Sequence, residues 1–246
     1  MELLERAREE LRQLLHARDL DPDLQVRVKP LTPDQAIGAA SGEFVIRKGK
    51  ERVIEAVVSG SRGQAFTDKP REWSGTIEEA LSLDLSDTGR RAVFVAVLNA
   101  LLRLMHVAPG TVHCRDDDPA DCGAVIGREI RMRYGDCKVG LIGLQPAILA
   151  GLVKELGADS VRVIDRDEEN VGSEKSRVRV EQEGKLRDLA RWCDVGLATG
   201  SSLVNGTIDP ILREFEKEEK PILFYGNTIS GTASLLGLNR ICPFAR

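Results

Sequence analysis

Two stretches of the 246-residue chain concentrate residues able to hold a polar ligand: Ala198-Thr-Gly-Ser-Ser-Leu-Val-Asn-Gly-Thr207 and Phe224-Tyr-Gly-Asn-Thr-Ile-Ser-Gly-Thr232. In the first, Thr199, Ser201, Ser202, Asn205 and Thr207 offer short donors and acceptors, while Gly200 and Gly206 permit backbone conformations closed to other residues. Gly226, Thr228 and Gly231 supply the same ingredients in the second. Each stretch follows an apolar run and leads into a helix-like segment. Backbone N–H groups and hydroxyls would therefore gather at strand ends, where a small polar or anionic ligand can lie. A plainer reading stays open, in which Thr199–Ser202 form a turn and Asn205 or Thr207 caps the helix beginning near Ile208. The loop is richer in polar groups than one cap requires.

A second set of residues suggests metal chemistry. His113, Cys114 and Cys122 lie close together, with Asp116, Asp117, Asp118 and Asp121 among them. Thiolate and imidazole favour zinc or softer transition metals, which makes a transition metal the candidate cofactor. No C-x-x-C or H-x-x-x-H pair accompanies them. Cys193, beside an apolar run, reads as a small buried hydrophobe, and Cys242 before Pro243 as a packing residue that could also close a cleft.

A third signal is the turn Val139-Gly-Leu-Ile-Gly-Leu-Gln-Pro-Ala147, with Gly143, Gln145 and Pro146, followed by Asp165 at the end of the next apolar run. That separation suits a dinucleotide fold, where an acidic residue accepts from a ribose hydroxyl. Gly140, Gly143 and Pro146 nevertheless lack the G-x-G-x-x-G order. A nucleotide- or S-adenosylmethionine-dependent transferase is the alternative resting on Gly143 and Asp165, and a local cap by Asp165 explains that residue equally well. G-x-S-x-G, P-loop and H-E-x-x-H signatures are missing, so serine hydrolases, P-loop nucleotidases and zincins lack their defining residues. No residue is assigned a catalytic role.

The elements that must position these groups follow from periodicity. Glu2–Ala17 has apolar residues at helical spacing, and strand-like runs follow at residues 24–31, 43–47, 53–59 and 64–67. Thr76-Ile-Glu-Glu79 has the form of a capping box, and residues 91–105 are apolar almost all round, which predicts a deeply buried helix. Asn99 interrupts it and needs partners, from a loop backbone or from a ligand. After Pro109-Gly110 a helix is expected over 124–133. Strands and helices then alternate: strand 139–142, helix 147–156, strand 160–165, strand 195–198, helix 208–218, strand 221–225, helix 232–236, and a strand at Arg240-Ile241. This pattern predicts an α/β fold, a small α+β domain over residues 1–115 followed over 116–246 by a domain with a mostly parallel sheet, which the family resemblance given below implies to be Rossmann-like.

Composition narrows the partners. A net charge of -4 from interspersed signs gives no basic footprint for nucleic acid. No apolar run approaches the about 18 residues that cross a bilayer, and the first ten residues are too charged for a signal peptide. A cytoplasmic location without membrane insertion is expected, and the five cysteines are expected as free thiols or metal ligands. The sequence leaves open whether the chain forms a homo-oligomer.

The segments Ala198–Asp209, Leu223–Thr232 and Gly140–Pro146 resemble the putative heavy-metal-chelatase family, and Gly63–Thr67 and Leu98–Leu101 resemble its N-terminal domain. The resemblance implies a Rossmann-like C-terminal domain paired with an N-terminal domain similar in fold to that of enolase. It also implies a site in the cleft between them and a role in heavy-metal chelation or related small-molecule chemistry. The expected function is binding of a small molecule or metal complex in that cleft; a non-catalytic metal or metabolite carrier is a further alternative.

Overall fold

The computed structural model describes residues 2–37, 51–115 and 118–246. The strand expected over 43–47 lies outside the described residues. Helix α1 (Glu2–Ala17) buries Leu3, Leu4, Ala7, Leu11 and Leu15, the stripe its spacing predicts. Strands β1 (Gln25–Pro30), β2 (Arg52–Val58), β3 (Ser61–Thr67) and β4 (Trp73–Thr76) form an antiparallel sheet in the order β3-β2-β1-β4, and α2 (Pro33–Ile37) follows β1. The capping box forms at α3 (Ile77–Leu81): the Thr76 hydroxyl accepts from Glu79 N–H, and the Glu79 carboxylate accepts from Thr76 N–H. Helix α4 (Thr88–Leu104) is capped by Asp87 and buried throughout Ala92–Leu102.

The second half contains α5 (Asp118–Tyr134), β5 (Val139–Ile142), α6 (Pro146–Leu156), β6 (Val161–Asp165), β7 (Glu174–Lys175) and β8 (Val178–Gln182). It continues with α7 (Leu186–Trp192), β9 (Val195–Thr199), α8 (Ser202–Asn205), α9 (Ile208–Lys217), β10 (Ile222–Tyr225) and α10 (Ser230–Leu236). Helix α5 begins at Asp118 instead of residue 124, because Asp118 and Asp121 in its first turn suit the positive end of the helix dipole. Arg240 contributes one bridge to Phe224 instead of the expected strand.

The larger sheet has the order β10-β9-β5-β6-β8-β7, parallel except for the β7–β8 pair. From β5 the chain moves outward through β6 to β8, then returns to the other side of β5 for β9 and β10. The order reverses between β5 and β9, the place where sheets of this kind bind ligands beyond their carboxyl ends. Helices α5 and α6 cover one face, where Ile126, Ile130, Leu149 and Leu152 pack on Val139, Leu141, Val163 and Leu197. On the other face Ile142, Ile164, Ala198 and Phe224 share a continuous core with α1, α4 and the antiparallel sheet.

Helices α5 and α6 cross at backbone contact. A Cβ on Gly151 would lie 2.0 Å from the Gly123 carbonyl oxygen, and one on Gly123 would lie 2.1 Å from that of Ala147. Only glycine fits at this crossing, which places Cys122 and Ile126 beside the start of α6. Among the described residues no helix is long and apolar enough to cross a membrane.

Candidate functional site

A cavity of about 160 Å³ lies at the carboxyl ends of β5, β9 and β10. Leu144 and Gln145 line it after β5, Thr199, Gly200 and Ser201 after β9, and Gly226, Asn227 and Thr228 after β10. Glu51 just before β2, Phe66 from β3, His113 and Cys114 from the connection before α5, Cys122 and Ile126 from α5, and Cys242 complete the wall. Both polar loops thus border one space.

The strand ends are fixed by bonds among themselves. Gly143 adopts φ +89° just after β5, and a Cβ there would meet Thr199 Cγ2 at 2.7 Å, so the turn requires glycine. Its carbonyl accepts from the Tyr225 hydroxyl at 2.8 Å, and Gly200 N–H donates to the Tyr225 carbonyl at 2.7 Å. Gln145 caps α6 by accepting from Ile148 N–H at 2.6 Å, with Pro146 in the first turn. Buried Arg91 donates from Nε to the Val204 carbonyl at 2.6 Å and so holds the end of α8.

A buried amide ties the two sheets together. Asn99 Nδ2 lies 2.9 Å from the Gln64 carbonyl and 3.0 Å from that of Thr228, while its Oδ1 accepts from Gly231 N–H at 2.7 Å. The partners of Asn99 are therefore backbone groups of β3, of the loop after β10 and of the first turn of α10. The Thr228 hydroxyl accepts from Phe66 N–H at 3.1 Å, a second tie between β3 and the loop after β10.

The remaining residues singled out by sequence stand back from the cavity lining. Asp165 uses one oxygen to accept from Leu144 N–H at 2.6 Å and the other to accept from Asp167 N–H at 2.8 Å and Asn170 Nδ2 at 3.2 Å, so it braces the turn after β5. Asn205 Oδ1 accepts from the Thr207 N–H and hydroxyl at 3.1 and 2.7 Å, closing α8. Thr207 gives α9 no side-chain cap. Gly231 packs on Leu98 and Asn99, and Pro146 and Gly143 shape turns whose neighbours form the wall.

Glu51 and Tyr225 escaped the sequence reading as site residues, and Cys242 entered it only as a packing residue that could also close a cleft. Asn227 and Tyr225 lie inside the second polar stretch. Cys242 reaches the cavity because Ile241 N–H donates back to the Phe224 carbonyl at 2.8 Å, a return that nothing in the local sequence signals.

Burial sets the charges. It lowers the His113 imidazole to about 4 and raises the Cys114 thiol to about 12, so both are neutral at pH 7. The Cys122 thiol donates to the Cys242 sulfur; this raises Cys122 and lowers Cys242, whose thiolate also faces Arg240 and the N–H groups of Gly226 and Ala245. Burial, with Asp68 and Asp165 nearby, pushes the Glu51 carboxyl up to about 7 despite its hydrogen bond with Ser201. Cys114 Sγ lies 3.8 Å from His113 Nε2. Among the described residues no three His, Cys, Asp or Glu side chains converge as ligands of one ion.

Residues 129–236 match the family model of DUF364, described as "Putative heavy-metal chelation". The fold is similar to that of a DUF364 protein of unknown function from Pyrococcus horikoshii, with a TM-score of 0.53 and 18% identity over 92% of this chain and 79% of that one. It is also similar to a DUF364 protein of unknown function from Desulfitobacterium hafniense, with a TM-score of 0.51 and 13% identity over 83% of this chain and 81% of that one. No curated protein matches the chain. The segment that shapes the strand-end loops thus lies within the part of the chain, residues 129–236, that matches DUF364.

Proposed function

We propose that the cavity binds a small polar molecule or a metal complex, with the strand-end loops holding the polar part and the cysteine and histidine wall supplying soft donors. The observation supporting this reading is that Cys114, Cys122, Cys242 and His113 all line one cavity where the strand order reverses. Their chemistry fits a soft transition metal, the class that the family description of heavy-metal chelation brings to mind. Because no three ligands converge among the described residues, the wall suits a metal that arrives with ligands of its own and needs one or two protein donors. Cys242, lowered by its neighbours, is the first donor. Such a metal is substrate or cargo and not a structural ion.

Glu51 favours turnover over passive carriage. Placing a metal in an organic ligand displaces protons, and a carboxyl held at about 7 beside Ser201 can accept one. Both oxygens of Asp165 are engaged within the chain, which leaves a nucleotide- or S-adenosylmethionine-dependent transferase without a supporting observation.

Titration with Cd²⁺ tests the reading through the thiolate-to-metal charge-transfer absorption. One ion per chain is expected, with the signal lost in a Cys122→Ser, Cys242→Ser double variant and kept in Cys137→Ser. Persistence in the double variant and loss in Cys137→Ser would refute it.

A further inference from the structure

A second cavity, of about 140 Å³, lies behind the segment Thr111–Arg115 and is lined by Arg62, Arg103, Arg115 and Arg246 together with Gln64 and Val112. Along this segment His113 and Cys114 line the first cavity, whereas Val112 and Arg115 line the second. Gln64 holds the segment in place: its Oε1 accepts from His113 N–H at 2.8 Å, and its Nε2 donates to Glu55 at 2.8 Å.

Four guanidiniums around one small space repel each other unless anions compensate them. Arg62 pairs with Glu55 at 2.6 Å and Arg246 with Asp118 at 2.9 Å. Arg103 donates to the main-chain oxygen of Arg246 at 2.8 Å and to the Thr111 hydroxyl at 3.3 Å. Arg115 has no ion pair among the described residues, and its Nε is buried without a hydrogen-bond partner. A buried donor left unpaired costs free energy that a ligand can recover, and the guanidinium fork matches phosphate oxygens.

We infer that this second cavity binds phosphate, held by Arg115 and Arg103 with Arg62 and Arg246 at its rim, at a site separate from the thiol-lined cavity. The oxyanion would supply the acceptor that Arg115 Nε lacks and neutralise its guanidinium. The inference stands independently of what the first cavity binds.

Calorimetric titration with inorganic phosphate, at ionic strength held constant with sodium chloride, tests it. One phosphate per chain is expected, about tenfold or more weaker in Arg115→Gln, since a hydrogen bond to a charged group is worth that much. Arg115→Lys should fall between, retaining charge without the fork, and the Cys242→Ser variant should bind like the parent. Because the Arg115 side chain makes no hydrogen bond among the described residues, Arg115→Gln should keep the parent melting temperature without phosphate. Absence of phosphate binding by the parent chain, equal binding by Arg115→Gln, or binding of malonate without phosphate would overturn the assignment.

Discussion

The two cavities share the segment Thr111–Arg115 and treat charge in opposite ways. In the first, burial drives His113 and Cys114 to their neutral forms and brings Glu51 to about 7, so its ionisable groups adjust their protonation to the surroundings. In the second, guanidiniums remain charged whatever their surroundings, and compensation must come from partners. The contrast shows how one short segment can border a pH-responsive pocket on one side and a fixed positive pocket on the other. Which side a residue faces matters more than its place in the sequence.

The largest expected effect comes from removing what holds both cavities. Asn99→Ala strands the Gly231 N–H and the carbonyls of Gln64 and Thr228, and should cost about 3–4 kcal/mol in urea unfolding with loss of both binding activities. A cost below about 1 kcal/mol would show that the amide does not couple the sheets.

Next in size is a pH effect confined to the first cavity. His113, lowered from its ordinary 6.5 to about 4, binds its proton more readily in the unfolded chain, so its contribution to stability is lost as pH falls from 6.5 to about 4. Glu51, raised from 4.5 to about 7, is protonated more readily in the folded chain, so its contribution is lost as pH rises from 4.5 to about 7. The two slopes oppose each other in the window they share. Glu51→Gln should expose the histidine slope, up to about 1.4 kcal/mol per pH unit, with stability falling on acidification. His113→Gln should show the opposite slope, and identical profiles for the two variants would remove the basis for this assignment.

The smallest effect separates the cavities most cleanly. Thr228→Val deprives Phe66 N–H of its acceptor and should cost about 1–2 kcal/mol. Cd²⁺ binding in the first cavity should weaken, while phosphate binding in the second should be unchanged; parallel loss of both would mean that the walls are coupled.

Much of the fold can be read from periodicity. The α1 stripe, the capping box at Thr76 and the apolar strands of the parallel sheet all have local causes. The edge strand β7 and the short helices α7 and α8 were missed because two to seven residues carry too little pattern to register. The polar loops announced the site through composition, since hydroxyls and glycines cluster wherever the chain must turn at a strand end. Which members of those loops face the cavity is a tertiary fact: Thr199 and Thr228 line it, whereas Asn205 turns to Thr207. Glu51 and Cys242 arrive from distant parts of the chain, and no spacing rule reaches that far.

Asn99 also bears on how a ligand comes and goes. An amide shared between β3 and the loop after β10 resists the sheets swinging apart, because each degree of opening would leave buried donors and acceptors facing nothing. In the wall of the first cavity the rings of Phe66 and His113 meet edge to face with centroids 5.2 Å apart, packed behind the join that this amide holds shut.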